Sequence, residues 1–157
     1  CWLALRQTAL SPGKVLYQDT SKRPLMSDNW QWEIAQGTLL SRDDISAAKQ
    51  TQRTWWAELS RFFSECDVLI APACQVHPFK SEDGTPTQIH GLPLDTYHRW
   101  LEVSLPASLG NLPVCSMPIP GLSPQHMTGL QIMMPPGSDQ ALLAVARGVE
   151  AALGRAI

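Results

Sequence analysis

Apolar residues recur at helical spacing in one long stretch and fall in short unbroken runs elsewhere. Ile45, Ala48, Trp55, Leu59 and Phe62 lie three, four or seven positions apart, which places them on one face of an α-helix. Arg42, Asp43, Lys49, Arg53, Glu58 and Arg61 supply much of the polar surface. The pattern predicts a helix of about five turns that lays an aromatic-rich stripe on something large. Ser41 with Asp44 three residues on resembles a capping box, with Asp where Glu or Gln is usual. Upstream, Ser27 is placed to cap a shorter helix from Asp28 to about Gln36, stopped by Gly37. Residues 1–10 read as the end of an element, and 11–26, with Pro12, Gly13 and Pro24, as a connecting loop.

Val68-Leu69-Ile70-Ala71, stopped by Pro72, is a short continuous apolar run. Such a run predicts a strand buried on both faces and central to its sheet. Residues 72–93 are rich in Pro, Gly and Thr and read as one long irregular loop, the kind that is usually functional. Leu94 to about Ser104 predicts a helix with Tyr97, Trp100 and Leu101 near one face. Pro106 and Pro113 bracket a turn. Val114–Met117 and Leu130–Met134 predict two more strands. Ser138 is placed to cap a last helix, 139–153, with Leu142, Ala146, Val149 and Leu153 on one face, closed by Gly154. The order of elements predicts an α/β fold: part of a mixed β-sheet covered by helices, incomplete without an N-terminal half. Three short apolar strands leave an open edge and an apolar face, which predicts self-association, including homo-oligomers.

Composition narrows the partners. The chain has 157 residues, 12 Lys plus Arg against 14 Asp plus Glu, and a formal charge of -2. With no basic stripe or tail, nucleic acid and anionic membrane are not expected partners. The longest apolar stretch, Val68 to Cys74, falls far short of the roughly 18 residues of a spanning helix. Cysteines stand at 1, 66, 74 and 115. The last three lie in or beside apolar runs, where cysteine behaves as a small buried hydrophobe. A reduced, cytoplasmic setting fits this better than a disulfide framework. The chain opens at Cys1 with no signal peptide pattern, and the expectation is that a natural N-terminus lies upstream.

Cys66-Asp67-Val68-Leu69-Ile70-Ala71-Pro72 resembles a segment in the C-terminal region of the amidase signature family. Further resemblances follow in order: Pro78-Phe79, Ile89, Gly91 and Tyr97-His98-Arg99-Trp100; then Ser108 to Pro118; then Gly129-Leu130-Gln131-Ile132; then Leu142-Leu143 and Glu150. Asn111 replaces the family's usual Gly, and Asn tolerates the left-handed conformation such a turn needs. Gln125-His126-Met127-Thr128 departs from the family's usual Gly-Leu-Pro before its strand. The resemblance implies that residues 1–157 are the C-terminal portion of a single amidase signature domain. It implies hydrolysis of carboxylic amides by a serine nucleophile, a second serine in a cis peptide and a lysine base, with no metal and no organic cofactor. No position of this chain matches that catalytic set. Its lysines, at 14, 22, 49 and 80, fall in loop or exposed-helix contexts.

The expected role is to complete the sheet and line a pocket for a small-molecule amide. Phe79, Ile89, Tyr97 and Trp100 are the candidate substrate-binding residues, because ligand sites are mainly apolar and aromatic. No catalytic residue is assigned. Cys74 and His77 have a metal-like spacing, but no second close pair of ligands accompanies them. Ser104, His98 and Asp95 have the composition of a triad but lack a nucleophile elbow. His98 is expected on a helix surface. Two alternatives stand beside the amidase: a subunit of a tRNA-dependent amidotransferase acting on glutamine, and a non-catalytic binding module.

Overall fold

The structure is a computed structural model and describes residues 1–119 and 128–154. The Gln125–Met127 departure lies outside the described residues. The chain clusters into two compact units, residues 1–57 and 58–157.

In the first unit, α1 (Trp2–Ala9), α2 (Lys14–Gln18) and α3 (Asp28–Gly37) are joined by short 3-10 turns at Ser11–Gly13 and Arg23–Leu25. The stretch expected as a loop at 11–26 is therefore largely helical. Pro12 and Pro24 each sit in the first turn of a 3-10 helix, where a missing N–H costs nothing. Ser27 caps α3 as expected, its hydroxyl accepting from the Trp30 N–H. Gly37 does not stop the helix but ends inside it. A Cβ there would stand 3.0 Å from the Gln7 carbonyl oxygen, so the glycine lets α1 and α3 approach. Arg6 and the fully buried Glu33 form an ion pair between the same two helices.

Helix α4 (Arg42–Phe63) runs 22 residues, and the boundary between the units falls within it. The capping box at its start is complete. Asp44 N–H donates to the Ser41 hydroxyl, and the Asp44 carboxylate accepts from the Ser41 hydroxyl and N–H. These bonds hold the Asp44 carboxyl below its ordinary range. Ala48 and Leu59 are buried and Ile45, Trp55 and Phe62 half-buried, so the predicted stripe is present.

The second unit carries a three-stranded sheet with the order β1 (Leu69–Pro72), β5 (Gly129–Met133), β4 (Val114–Pro118). Both pairings are antiparallel, with Ile70 and Cys115 flanking Ile132. The central strand is therefore β5, not the Val68–Ala71 run. Ile70 is 54% exposed, whereas Gln131 to Met134 are all buried. The apolar run alone could not tell an edge from a centre; the pairing decides it. On one face Met117, Ile132 and Met134 pack against Leu142 and Ala146 of α6 (Asp139–Ala152). Val149 is half-buried, and Leu153, expected on the same face, lies beyond the helix end and is exposed. The α/β expectation holds.

Two further expectations change. Leu94–Ser104 is not one helix: turns lead into a 3-10 helix, Arg99–Ser104, that is kinked at Leu101. The Val103 N–H leaves the helical ladder for the Gln75 side chain, which accounts for the irregularity. The supposed turn between Pro106 and Pro113 is a short helix, α5 (Leu105–Gly110), with Pro106 in its first turn. Asn111 closes it in the left-handed conformation, φ 52°, as its residue type predicts. Within 72–93 a hairpin, β2 (Gln88–Ile89) and β3 (Leu92–Pro93), turns on His90 and Gly91, both with positive φ. That is the backbone of a type I′ turn.

Candidate functional site

Three chain segments meet at one end of the sheet. β1 ends at Pro72 and its ladder runs one step further, Ala73 N–H donating to the Gly129 carbonyl at 2.8 Å. β4 ends and β5 begins at the same level, where Ile119 N–H donates to the Thr128 carbonyl. Gly129 is required here. A Cβ would lie 2.7 Å from the Met117 carbonyl oxygen and 3.2 Å from the Ala73 Cβ. The close approach leaves a groove of about 410 Å³ between the post-β1 loop and the strand ends. Cys74, Val76, His77, Pro78 and Phe79 form one side; Ser116, Met117 and Pro118 form the other. Among the described residues no Asp, Glu, Lys or Arg lines the groove, so it suits an uncharged, largely apolar group.

The loop wall is tied back to the sheet by two glutamines. Gln131, only 4% exposed, donates through Nε2 to the carbonyls of Pro72 (2.8 Å) and Val103 (3.0 Å). Gln75 accepts from the Val103 N–H at 2.7 Å. A buried amide nitrogen with two carbonyl partners has both its hydrogens placed and ties together the two stretches of chain it touches.

Of the four residues expected from the sequence, Phe79 lines the groove. Trp100 supports it edge-on, with ring centroids 5.4 Å apart at 89°, a favoured aromatic geometry. The Trp100 indole N–H is buried with no hydrogen-bond partner among the described residues. Ile89 is half-buried in β2, and Tyr97 lies in the turn before the 3-10 helix; neither lines the groove. Tyr97 stacks on His98, centroids 3.7 Å apart. His98 is buried, 5% exposed, and not on a helix surface, because the turn folds it inward. Asp95 and Glu102 both bind Arg99, and the guanidinium holds the Asp95 carboxyl below its ordinary range. With Asp95 so engaged and the Ser104 hydroxyl on the Leu101 carbonyl, these residues do not assemble as a triad. Among the described residues no group of three metal-ligating side chains converges. Cys66 is exposed rather than buried, and Cys74 and Cys115 are half-buried.

Sequence reasoning missed Ser116 and Gly129 as groove elements, and Gln75 as a tie behind them. For Ser116 and Gly129 a signal was available: both lie in segments that carry the family resemblance.

Fold and groove together define an α/β protein with an apolar cleft at its strand ends. The family model for amidases matches residues 9–143, and the chain belongs to the amidase family. Two solved structures share its fold. One is a bacterial aryl acylamidase of the amidase signature family, at 22% identity and TM-score 0.71, covering 90% of this chain. The other is an amidase, at 20% identity and TM-score 0.72, covering 88%. The chain spans about 30% of the length of the first and 31% of the second. No curated protein sequence matches the chain. Among the described residues no helix is long and apolar enough to cross a membrane.

Proposed function

We propose that the chain is the C-terminal part of a serine amidohydrolase that cleaves carboxylic amides, and that it supplies sheet and one wall of the substrate pocket. The observation that carries this reading is the groove itself. Three segments resembling the family converge on it, and its lining is apolar with few polar groups, as small-molecule sites are. Phe79, backed by Trp100, would face the apolar part of the substrate. Ser116 and Thr128 offer hydroxyls for its polar part.

The chemistry itself is assigned to sequence outside this chain. A serine hydroxyl needs a base, and a lysine serves only when its surroundings lower its pKa. All four lysines here are exposed, and Lys22 and Lys80 face Asp19 and Glu82. This supports a role in binding and scaffolding rather than in bond cleavage.

Titration of the isotope-labelled chain with acetanilide, a neutral aryl amide, tests the pocket. Chemical-shift changes confined to residues 73–79, 116–118 and 128–129 are expected. Changes scattered elsewhere, or none, would remove the groove from the substrate site.

A further inference from the structure

We propose that Gln75 is a positioning residue for the groove wall: with Gln131 it clamps the backbone of Val103 on both sides of its Cα and thereby sets where Phe79 stands. The inference rests on the groove reading above. Gln75 does not line the groove, so it acts only through its neighbours.

The clamp takes both backbone polar groups of one residue, in the two peptide units that flank its Cα. Val103 N–H donates to Gln75 Oε1, and the Val103 carbonyl accepts from Gln131 Nε2. Gln131 belongs to the central strand and also holds the Pro72 carbonyl, at the root of the groove loop. The loop is therefore fixed at Pro72 and again at Gln75, four residues before Phe79. The 3-10 helix is fixed at Val103, three residues after Trp100. The two rings that meet edge-on, Phe79 and Trp100, hang from these fixed points. Phe79 is 44% exposed, and Gln75 to Lys80 are exposed apart from the half-buried Val76. The clamp adds fixed points to a wall that is largely solvent-exposed.

The two glutamines need opposite chemistry. Among the described residues Gln75 serves as an acceptor, so a carboxylate at 75 preserves the bond. Gln131 serves as a donor, so a carboxylate at 131 loses both bonds and buries a charge against two carbonyl oxygens.

The test uses the 157-residue chain and three residue-specific NMR readouts: exchange of the Val103 amide, the Phe79–Trp100 ring contact, and acetanilide affinity. Gln75→Leu is expected to expose the Val103 amide to exchange and abolish the ring contact. It should weaken acetanilide about fivefold, the ratio carried by one ordinary hydrogen bond. Gln75→Glu should restore all three. Retention of the ring contact and affinity in Gln75→Leu, or failure of Gln75→Glu to restore them, overturns the proposal. If Gln75→Leu does not fold, the pair Gln75→Glu and Gln131→Glu decides, since only the first should keep the ring contact. Native chain that ignores acetanilide refutes the pocket reading alone, because the exchange and ring readouts need no ligand.

Discussion

Truncating Ile132 should unfold the second unit far more readily than truncating Leu69. Ile132 is 0% exposed in the centre of β5 and packs with Met117, Met134, Leu142 and Ala146. Ile132→Ala deletes three carbons, a transfer loss of about 2.4 kcal/mol at about 0.8 kcal/mol per methylene. The cavity left beneath α6 adds to this, for a total of about 3–4 kcal/mol, within the range for buried Ile to Ala. The flexible Met117 and Met134 side chains can lean into the space, which argues against the top of that range. Leu69 lies on β1, at the sheet edge among the described strands, and is half-buried. Leu69→Ala should cost about half as much, about 1–2 kcal/mol. Because the two units need not unfold together, the assay is urea unfolding followed at the β5 amide protons by NMR, with m-values compared between variants. A loss at Leu69 equal to or larger than that at Ile132, at constant m, would refute β5 as the centre of the sheet.

Gly129→Val should destabilise by about 1–3 kcal/mol through overpacking, since its Cβ collides with the Met117 carbonyl; the same urea assay measures it. Ser41→Ala should cost about 1 kcal/mol of α4 stability, the usual value for a lost N-cap hydroxyl. The Asp44 side of that box is pH-dependent. Its carboxyl is held below its ordinary 3.8 by the Ser41 hydroxyl first and the Ser41 N–H second. The contribution is therefore complete above the unfolded value and is lost as pH falls through the lower folded one. Exchange at the Asp44 and Ile45 amides should rise only below pH 3.8 in the native chain and already at neutral pH in Ser41→Ala. Phe79→Ala should weaken acetanilide binding, whereas Tyr97→Phe should leave it unchanged, because only Phe79 lines the groove; calorimetric titration of both variants checks this.

Local signals in the sequence carried most of the helices. The Ser41–Asp44 box, the Ser27 cap and the α4 stripe each involve residues within a turn or two of one another, and each is present. Asn111 likewise announced its left-handed turn by residue type alone. What failed depended on distant partners. The Val68–Ala71 run looked central because nothing in four apolar residues records that its partner is β5 and that β5 has another neighbour. Leu94–Ser104 looked helical because its apolar spacing fits, but the Val103 amide is claimed by Gln75, 28 residues away. The His90-Gly91 hairpin turn was legible in principle, since a Gly preceded by a residue tolerating positive φ is a type I′ signal. It was hidden by reading 72–93 as one loop. At the groove, Phe79 was expected as an aromatic wall residue and does line it; Gln75 and Gln131 were not expected, because their ties exist only once Val103 stands between them.

The central proposal is that this amidase-family chain frames a substrate groove without carrying the nucleophile. The direct measurement is intact-mass analysis of the purified chain after exposure to a fluorophosphonate, alongside hydrolysis of aryl and aliphatic amides. The account predicts no covalent adduct and no turnover, with the Ser116 hydroxyl in the groove left unmodified. An adduct on a serine of this chain, with turnover that disappears when that serine is replaced by alanine, would contradict it.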